Sequence, residues 1–143
     1  MKFVLDTDVV VAAMRSPAGA SAAILLAALE GHVALAANVA LMIEYEAVCT
    51  RGEHRKAAGL SVEAVGVFLD GLAALMEPVE THFLWRPQLR DPNDEMVLEA
   101  AVNGRAAAIV TFNTRDFGEA PAAFRVALML PRDALQKLKR TKG

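Results

Sequence analysis

Lys2-Phe3-Val4-Leu5-Asp6-Thr7-Asp8-Val9-Val10-Val11 is the stretch on which the fold turns. Its apolar run breaks at Asp6-Thr7-Asp8 and resumes at Val9. Such a β-branched run predicts a buried strand with polar residues at its carboxyl end. Open α/β sheets place their ligands outside that carboxyl edge, so Asp6 sits where a site is expected. The same aspartate also suits a loop, capping a neighbouring turn.

Further along, Pro17-Ala18-Gly19 reads as a loop and Ser21 as the cap of a helix over 22–30. A short strand is expected over 32–36. Asn38 is a good cap for a helix reaching Cys49, followed by a polar break at Thr50-Arg51-Gly52-Glu53. Ser61 caps a helix whose periodic apolar residues run from Val62 to Met76, and Pro78-Val79 begins a third strand. A loop over 85–90 leads to Asp91-Pro92, a cap with first-turn proline, and a helix to Asn103 stopped by Gly104. Strands are expected over 107–111 and 124–130, and Pro131 opens a final helix. Strands alternating with helices imply a parallel sheet covered on both faces, a three-layer α/β/α domain filling residues 1–143.

Composition narrows the class of function. Of 143 residues 28 are alanine, so the 55% hydrophobic fraction overstates the bulky apolar surface available for burial. A single cysteine, Cys49, excludes an internal disulfide framework and a multi-cysteine zinc site. No apolar run approaches the ~18 residues of a membrane span, and the start lacks the pattern of a signal peptide. A cytoplasmic domain without membrane partners is the expectation. Net charge is −2 but unevenly spread. From about residue 132 a basic tail carries Arg132, Lys137, Lys139, Arg140 and Lys142 against Asp133, a net +4 that leaves −6 on the body. A globally basic nucleic-acid binder is not described by these numbers.

Carboxylates placed against local pattern are the informative ones. Glu44 shares a stripe with Ala40, Ala47 and Val48 that is expected to face the core, and Glu46 competes with it on a less consistent face. A salt-bridged or snorkelling Glu44 is the plain alternative. Asp94 heads the otherwise apolar stripe Val97, Leu98 and Ala101. Acids in a first turn complement the helix dipole, which accounts for Asp91, Asp94 and Glu95 together but not for an inward-facing one. Asn113 and Asp116, in Thr111-Phe112-Asn113-Thr114-Arg115-Asp116-Phe117, again follow a strand's carboxyl end; Asp116 also suits a helix cap. Carboxylates gathered from separate segments repel and take up protons unless a cation intervenes. All-oxygen donors favour Mg²⁺ or Mn²⁺ and phosphate chemistry. Phosphate-loop, dinucleotide and nucleophile-elbow motifs are absent from the sequence, and His32, His54 and His82 share no metal-binding spacing. Cys49, on an apolar helix, reads as core filler.

In this order and at these spacings, the segments Val4–Val11, Met42–Val48, Asp91–Ala101 and Val110–Phe117 resemble the PIN domain. More narrowly, they resemble PIN-family toxins of bacterial toxin–antitoxin systems, relatives of the VapC ribonucleases. The resemblance covers nearly the whole chain; each motif alone is weak, and four in sequence are specific. It implies a Mg²⁺- or Mn²⁺-dependent endoribonuclease that cuts by in-line attack of metal-activated water, leaving a 3′-hydroxyl and a 5′-phosphate. By position Asp6, Glu44, Asp94 and Asp116 correspond to its four metal-binding, catalytic acids. Asp8 stands where asparagine is commoner, which implies either an added ligand or a conserved hydrogen-bonding role; Asn113 stands where some branches carry aspartate, so the fourth ligand is Asp116, Asn113 or both. Thr7 and Thr111 are candidates to orient water or a carboxylate, and Arg15, Arg51, Arg55, Lys56 and Arg115 to contact the RNA backbone. A cognate antitoxin and a homodimer are the partners implied. Two other readings stand beside it: a PIN-fold binding module with degenerate catalysis, and a phosphate-accepting receiver built on Asp6. The missing lysine after the later strands speaks against the second.

Overall fold

The computed structural model describes residues 1–81 and 88–142. Among them, five strands, β1 (Lys2–Leu5), β2 (Ala34–Ala37), β3 (Met76–Pro78), β4 (Ala108–Val110) and β5 (Ala127–Met129), form one sheet in the order β3-β2-β1-β4-β5. All four pairings are parallel. The chain moves outward from β1 to β3, then crosses back over β1 to reach β4. Right-handed crossovers put the helices of the two halves on opposite faces, which is the expected three-layer sandwich. They also open a crevice between the carboxyl ends of β1 and β4, where the strand order reverses.

Phe3, Val4, Leu5, Leu35, Ile109 and Val110 are buried completely or nearly so and form the centre of the core. Helix α6 (Pro92–Asn103) packs across β1, β2 and β4 through Val97, Leu98 and Ala101. On the other side α1 (Thr7–Arg15) packs on α2 (Ala20–Leu29), which meets the last helix, α9 (Pro131–Lys142). Between these lie α3 (Val39–Cys49), α4 (Gly52–Ala58), α5 (Val62–Leu75), and two single turns, α7 (Thr114–Phe117) and α8 (Ala120–Ala123).

Several expectations change. Val9, Val10 and Val11 continue no strand: they lie in α1, because the Asp6 carboxylate accepts the Thr7 N–H and starts a helix there. Their buried face repeats at helical spacing through Ala13 and Met14, so packing overrides the β preference of valine. The cap of α2 is Gly19, and Ser21 is buried inside the helix. Strand β2 starts at Ala34 rather than residue 32, and β4 and β5 are shorter than the apolar runs containing them. Part of the polar break after Cys49 is helical as α4, which ends at Gly59 in the left-handed region (φ 70°). Of the loop over 85–90, residues 85–87 lie outside the described residues, as does His82. The caps Asn38, Ser61 and Asp91 are as expected, each accepting a backbone N–H of its helix.

Gly104 ends α6 where space is the constraint. A Cβ there would stand 2.8 Å from both the Ala100 carbonyl oxygen and a Val79 methyl. Gly104→Ala is expected to destabilise the fold by about 1–3 kcal/mol through overpacking. Urea denaturation checks this; a variant as stable as the parent would show that Val79 yields freely.

Candidate active site

Asp6 follows β1 and Thr111 follows β4, adjacent positions at the point where the strand order reverses. The register pairs Leu5 with Val110, and the Asp6 N–H donates to the Val110 carbonyl at 2.9 Å. Asp6 is buried (8% exposed) and its carboxylate is held at both oxygens. One accepts the Thr7 N–H at 2.8 Å, the other the Thr111 hydroxyl at 2.7 Å. Behind it, fully buried Tyr45 of α3 donates its hydroxyl to the Leu5 carbonyl, tying α3 to the end of β1.

Asp8, in the first turn of α1, faces the β4–α7 loop. Its Oδ2 accepts the Phe112 N–H at 3.2 Å and the Asn113 side-chain amide at 2.9 Å. The Asn113 N–H in turn donates to the Thr111 hydroxyl oxygen at 2.9 Å. Among the described residues, Asp8 Oδ1 is buried with no hydrogen-bond partner. Burial, and then the Asp6 charge, push the Asp8 carboxyl up to about 7. Asp94, half-buried in the first turn of α6, is pushed up to about 6 by burial and then by Asp6, Asp91 and Asp116. Burial raises Asp6 as well, against the lowering effect of its hydrogen bonds.

Asp6, Asp8, Glu44, Asp94 and Asp116 line one cleft of about 350 Å³, with Thr7 and Asn113 on its wall. All four expected acids therefore converge, although they come from four separate segments. Glu44 gets there for a different reason from the one its sequence pattern suggested. The core face of α3 is Leu41, Tyr45 and Cys49, whereas Ala40 and Ala47 are exposed. Glu44 stands half-buried at the rim, and Glu46 borders a different, apolar hollow with Met42 and Ile43. Of the two threonines, Thr111 donates its hydroxyl to the Asp6 carboxylate, and Thr7 reaches it through its backbone N–H. Arg15 does not line the cleft; its guanidinium stands 3.4 Å from Nδ1 of His54, which does. Arg115 lines an adjoining hollow with Arg90 that shares Asp91, Asp94 and Asp116 with the cleft.

Sequence reasoning did not find His54, Asn93, or Asp91's second position as cleft wall. Asp91 is accounted for in the sequence by its role as a cap, and His54 belongs to a helix hidden in an apparent polar break. Glu95, explicable as a dipole partner, is instead buried and accepts the N–H groups of Gln88 and Leu89, fixing the approach to α6.

The donors fit a hard divalent cation in chemistry: carboxylates with amide and hydroxyl oxygens line the cleft beside one imidazole, His54, three of the acids resist ionisation together, and among the described residues one buried oxygen is unpartnered. Among the described residues no three of His, Cys, Asp or Glu are drawn close enough to hold an ion as they stand. The acids that line the cleft stand apart from one another.

This fold and acidic cleft define a class. The PIN domain family model matches residues 2–115, and the chain belongs to that family. Among solved structures, the crystal structure of VapBC2 from Rickettsia felis bound to a DNA fragment from their promoter contains a chain of similar fold. The TM-score is 0.58 at 17% identity, covering 91% of this chain and 98% of that one. No curated protein matches the chain by sequence.

Proposed function

We propose that this protein is a Mg²⁺- or Mn²⁺-dependent endoribonuclease, the toxin of a toxin–antitoxin pair acting in the cytoplasm. The observation that carries the reading is the convergence of Asp6, Glu44, Asp94 and Asp116 on one cleft at the carboxyl ends of β1 and β4. Membership of the PIN family supports it, and the likeness to a VapBC2 structure supports a small antitoxin protein as partner. Among the described residues no single helix is long and apolar enough to cross a membrane.

Asp6, Glu44, Asp94 and Asp116 would hold the ion, with Asp8 and Asn113 as further oxygen donors. When bound, a divalent ion supplies water activation and charge neutralisation for phosphodiester hydrolysis. The chain's own part is positioning. Thr7 and Thr111 fix the Asp6 carboxylate, and Phe112 and Asn113 fix Asp8. Such preorganised polar groups act without reorganising during the reaction. Arg115, beside Asp94 and Asp116, and Arg15, reached through His54, are the backbone contacts this reading assigns to RNA. A homodimer is also part of the proposal; exposed Val39 and Ile43 on α3 give it apolar surface.

One observation favours a second reading, a PIN-fold binding module without catalysis: the acids stand apart rather than as a formed ligand set. Calorimetric titration with Mn²⁺ separates the two. The nuclease reading expects uptake that is lost in Asp94→Asn protein. Absence of uptake by the parent protein would favour the binding module.

A further inference from the structure

We propose that the exposed ring of Phe112 is a stacking platform for one base of single-stranded RNA, and that Arg132 contacts a neighbouring phosphate. Substrate would thus run from the acidic cleft over the tip of β4 toward the basic last helix. The proposal rests on the ribonuclease reading and extends it to the path of the strand.

Phe112 is 49% exposed, yet it sits in the most constrained part of the site. Thr111 before it is fully buried and holds Asp6; Asn113 after it lines the cleft. Its own N–H is spent on Asp8. The backbone beneath the ring is therefore fixed to two cleft carboxylates, and a base stacked on the ring would be held in register with them. Rigid placement matters because stacking adds affinity only to the extent that the platform is already ordered.

Phe112 lines a second hollow, of about 410 Å³, together with Ala12, Ala20, Leu130 and Arg132. That volume lies within the usual range for small-ligand sites. Its walls are small and mostly apolar, which suits the flat face of a base better than a charged group. Arg132 is 78% exposed and only 3.9 Å from Asp133, a loose contact that leaves its guanidinium available. Lys137, Lys139 and Arg140 are exposed further along the same helix. An RNA strand is repelled by a cleft of carboxylates and needs positive charge nearby; Arg132, which lines the same hollow as Phe112, supplies it. Single strands are commonly held in this way, by aromatic faces next to cationic side chains. Of the +4 tail, which the sequence leaves without a role, Arg132 thereby acquires one.

The test uses the full chain carrying Asp94→Asn, so that RNA is bound without being cut, in Mg²⁺ with fluorescein-labelled oligouridylate read by anisotropy. Adding Phe112→Ala or Phe112→Leu should weaken binding on the order of tenfold, and Phe112→Trp should restore it. The leucine variant keeps an apolar side chain but has no π face, so it separates stacking from a structural role. Arg132→Gln should lower the slope of log affinity against log salt by about 1. With 5-iodouridine in the oligonucleotide, photocrosslinking should map to the peptide containing Phe112. If RNA binds and the parent protein cleaves it, but Phe112→Leu binds as tightly as phenylalanine, the platform is overturned and the nuclease reading stands. If the parent neither binds nor cleaves RNA, both fall. If Phe112→Ala alters only oligomeric state, the ring belongs to a contact between copies of the chain, which also overturns the proposal.

Discussion

Asp94→Asn protein is expected to lose metal-dependent RNA cleavage by at least about a hundredfold while remaining folded. The size follows from the electrostatic effects usually seen when a single charge-stabilising group is removed from a preorganised site. Asp94 is the cleanest position for the experiment. Among the described residues its carboxylate makes no hydrogen bond on which α6 depends; the helix is capped by Asp91 and anchored by Glu95. Asparagine has nearly the same shape and carries no charge, and Asp94 is already crowded by Asp6, Asp91 and Asp116. The substitution should therefore leave the melting temperature unchanged or raised. Asp6→Asn should abolish cleavage too, but it disturbs both the bond that starts α1 and the one that ties Asp6 to Thr111, so lost stability would obscure the result. The measurement is single-turnover cleavage of a fluorogenic RNA in Mn²⁺, with and without chelator. Cleavage that survives in Asp94→Asn protein would assign the activity to a contaminant and remove the nuclease reading.

How much of this was legible in the sequence depends on whether the signal was local. Asn38, Ser61 and Asp91 each announce a helix because a cap is a contact within four residues, and all three hold. Asp6 was legible as the end of a buried strand, though not as the cap that turns Val9–Val11 into helix. That outcome depends on one carboxylate accepting one N–H at the strand's end, which a run of valines does not reveal. Glu44 shows the limit of pattern reading. Alanine fits buried and exposed faces alike, so in a chain this rich in alanine a stripe of Ala40, Ala47 and Val48 does not mark the core. The larger residues Leu41, Tyr45 and Cys49 do. His54 and Asn93 meet the cleft only through tertiary packing, and no spacing in the sequence relates them to Asp6. The resemblance to a family, in contrast, used four motifs at once, and so carried long-range information that no single segment holds.

In chelator the protein is expected to melt at a higher temperature at pH 5.5 than at pH 8, by on the order of 5 °C. Asp8 titrates at about 7 in the fold and Asp94 at about 6, both above the ordinary aspartate range of the unfolded chain. The folded state therefore binds their protons more tightly than the unfolded state does. Their stabilising contribution is complete below the unfolded value, near 4, and is lost as pH rises through about 6 and then about 7. Asp6, raised in the same direction, adds to the trend. The physical cause is visible at Asp8: an ionised carboxylate there has one oxygen buried without a partner and Asp6 as a neighbour. Asp8→Asn removes that charge while keeping an oxygen for the Phe112 N–H. It should raise the pH 8 melting temperature in chelator and flatten the pH profile. Mn²⁺ should stabilise the parent protein most at pH 8, where the acids are ionised and their repulsion is greatest. Scanning calorimetry across pH 5.5–8 checks each part. A melting temperature that climbs with pH in chelator, or an Asp8→Asn variant less stable than the parent at pH 8, would mean that these acids are not the strained groups their burial makes them.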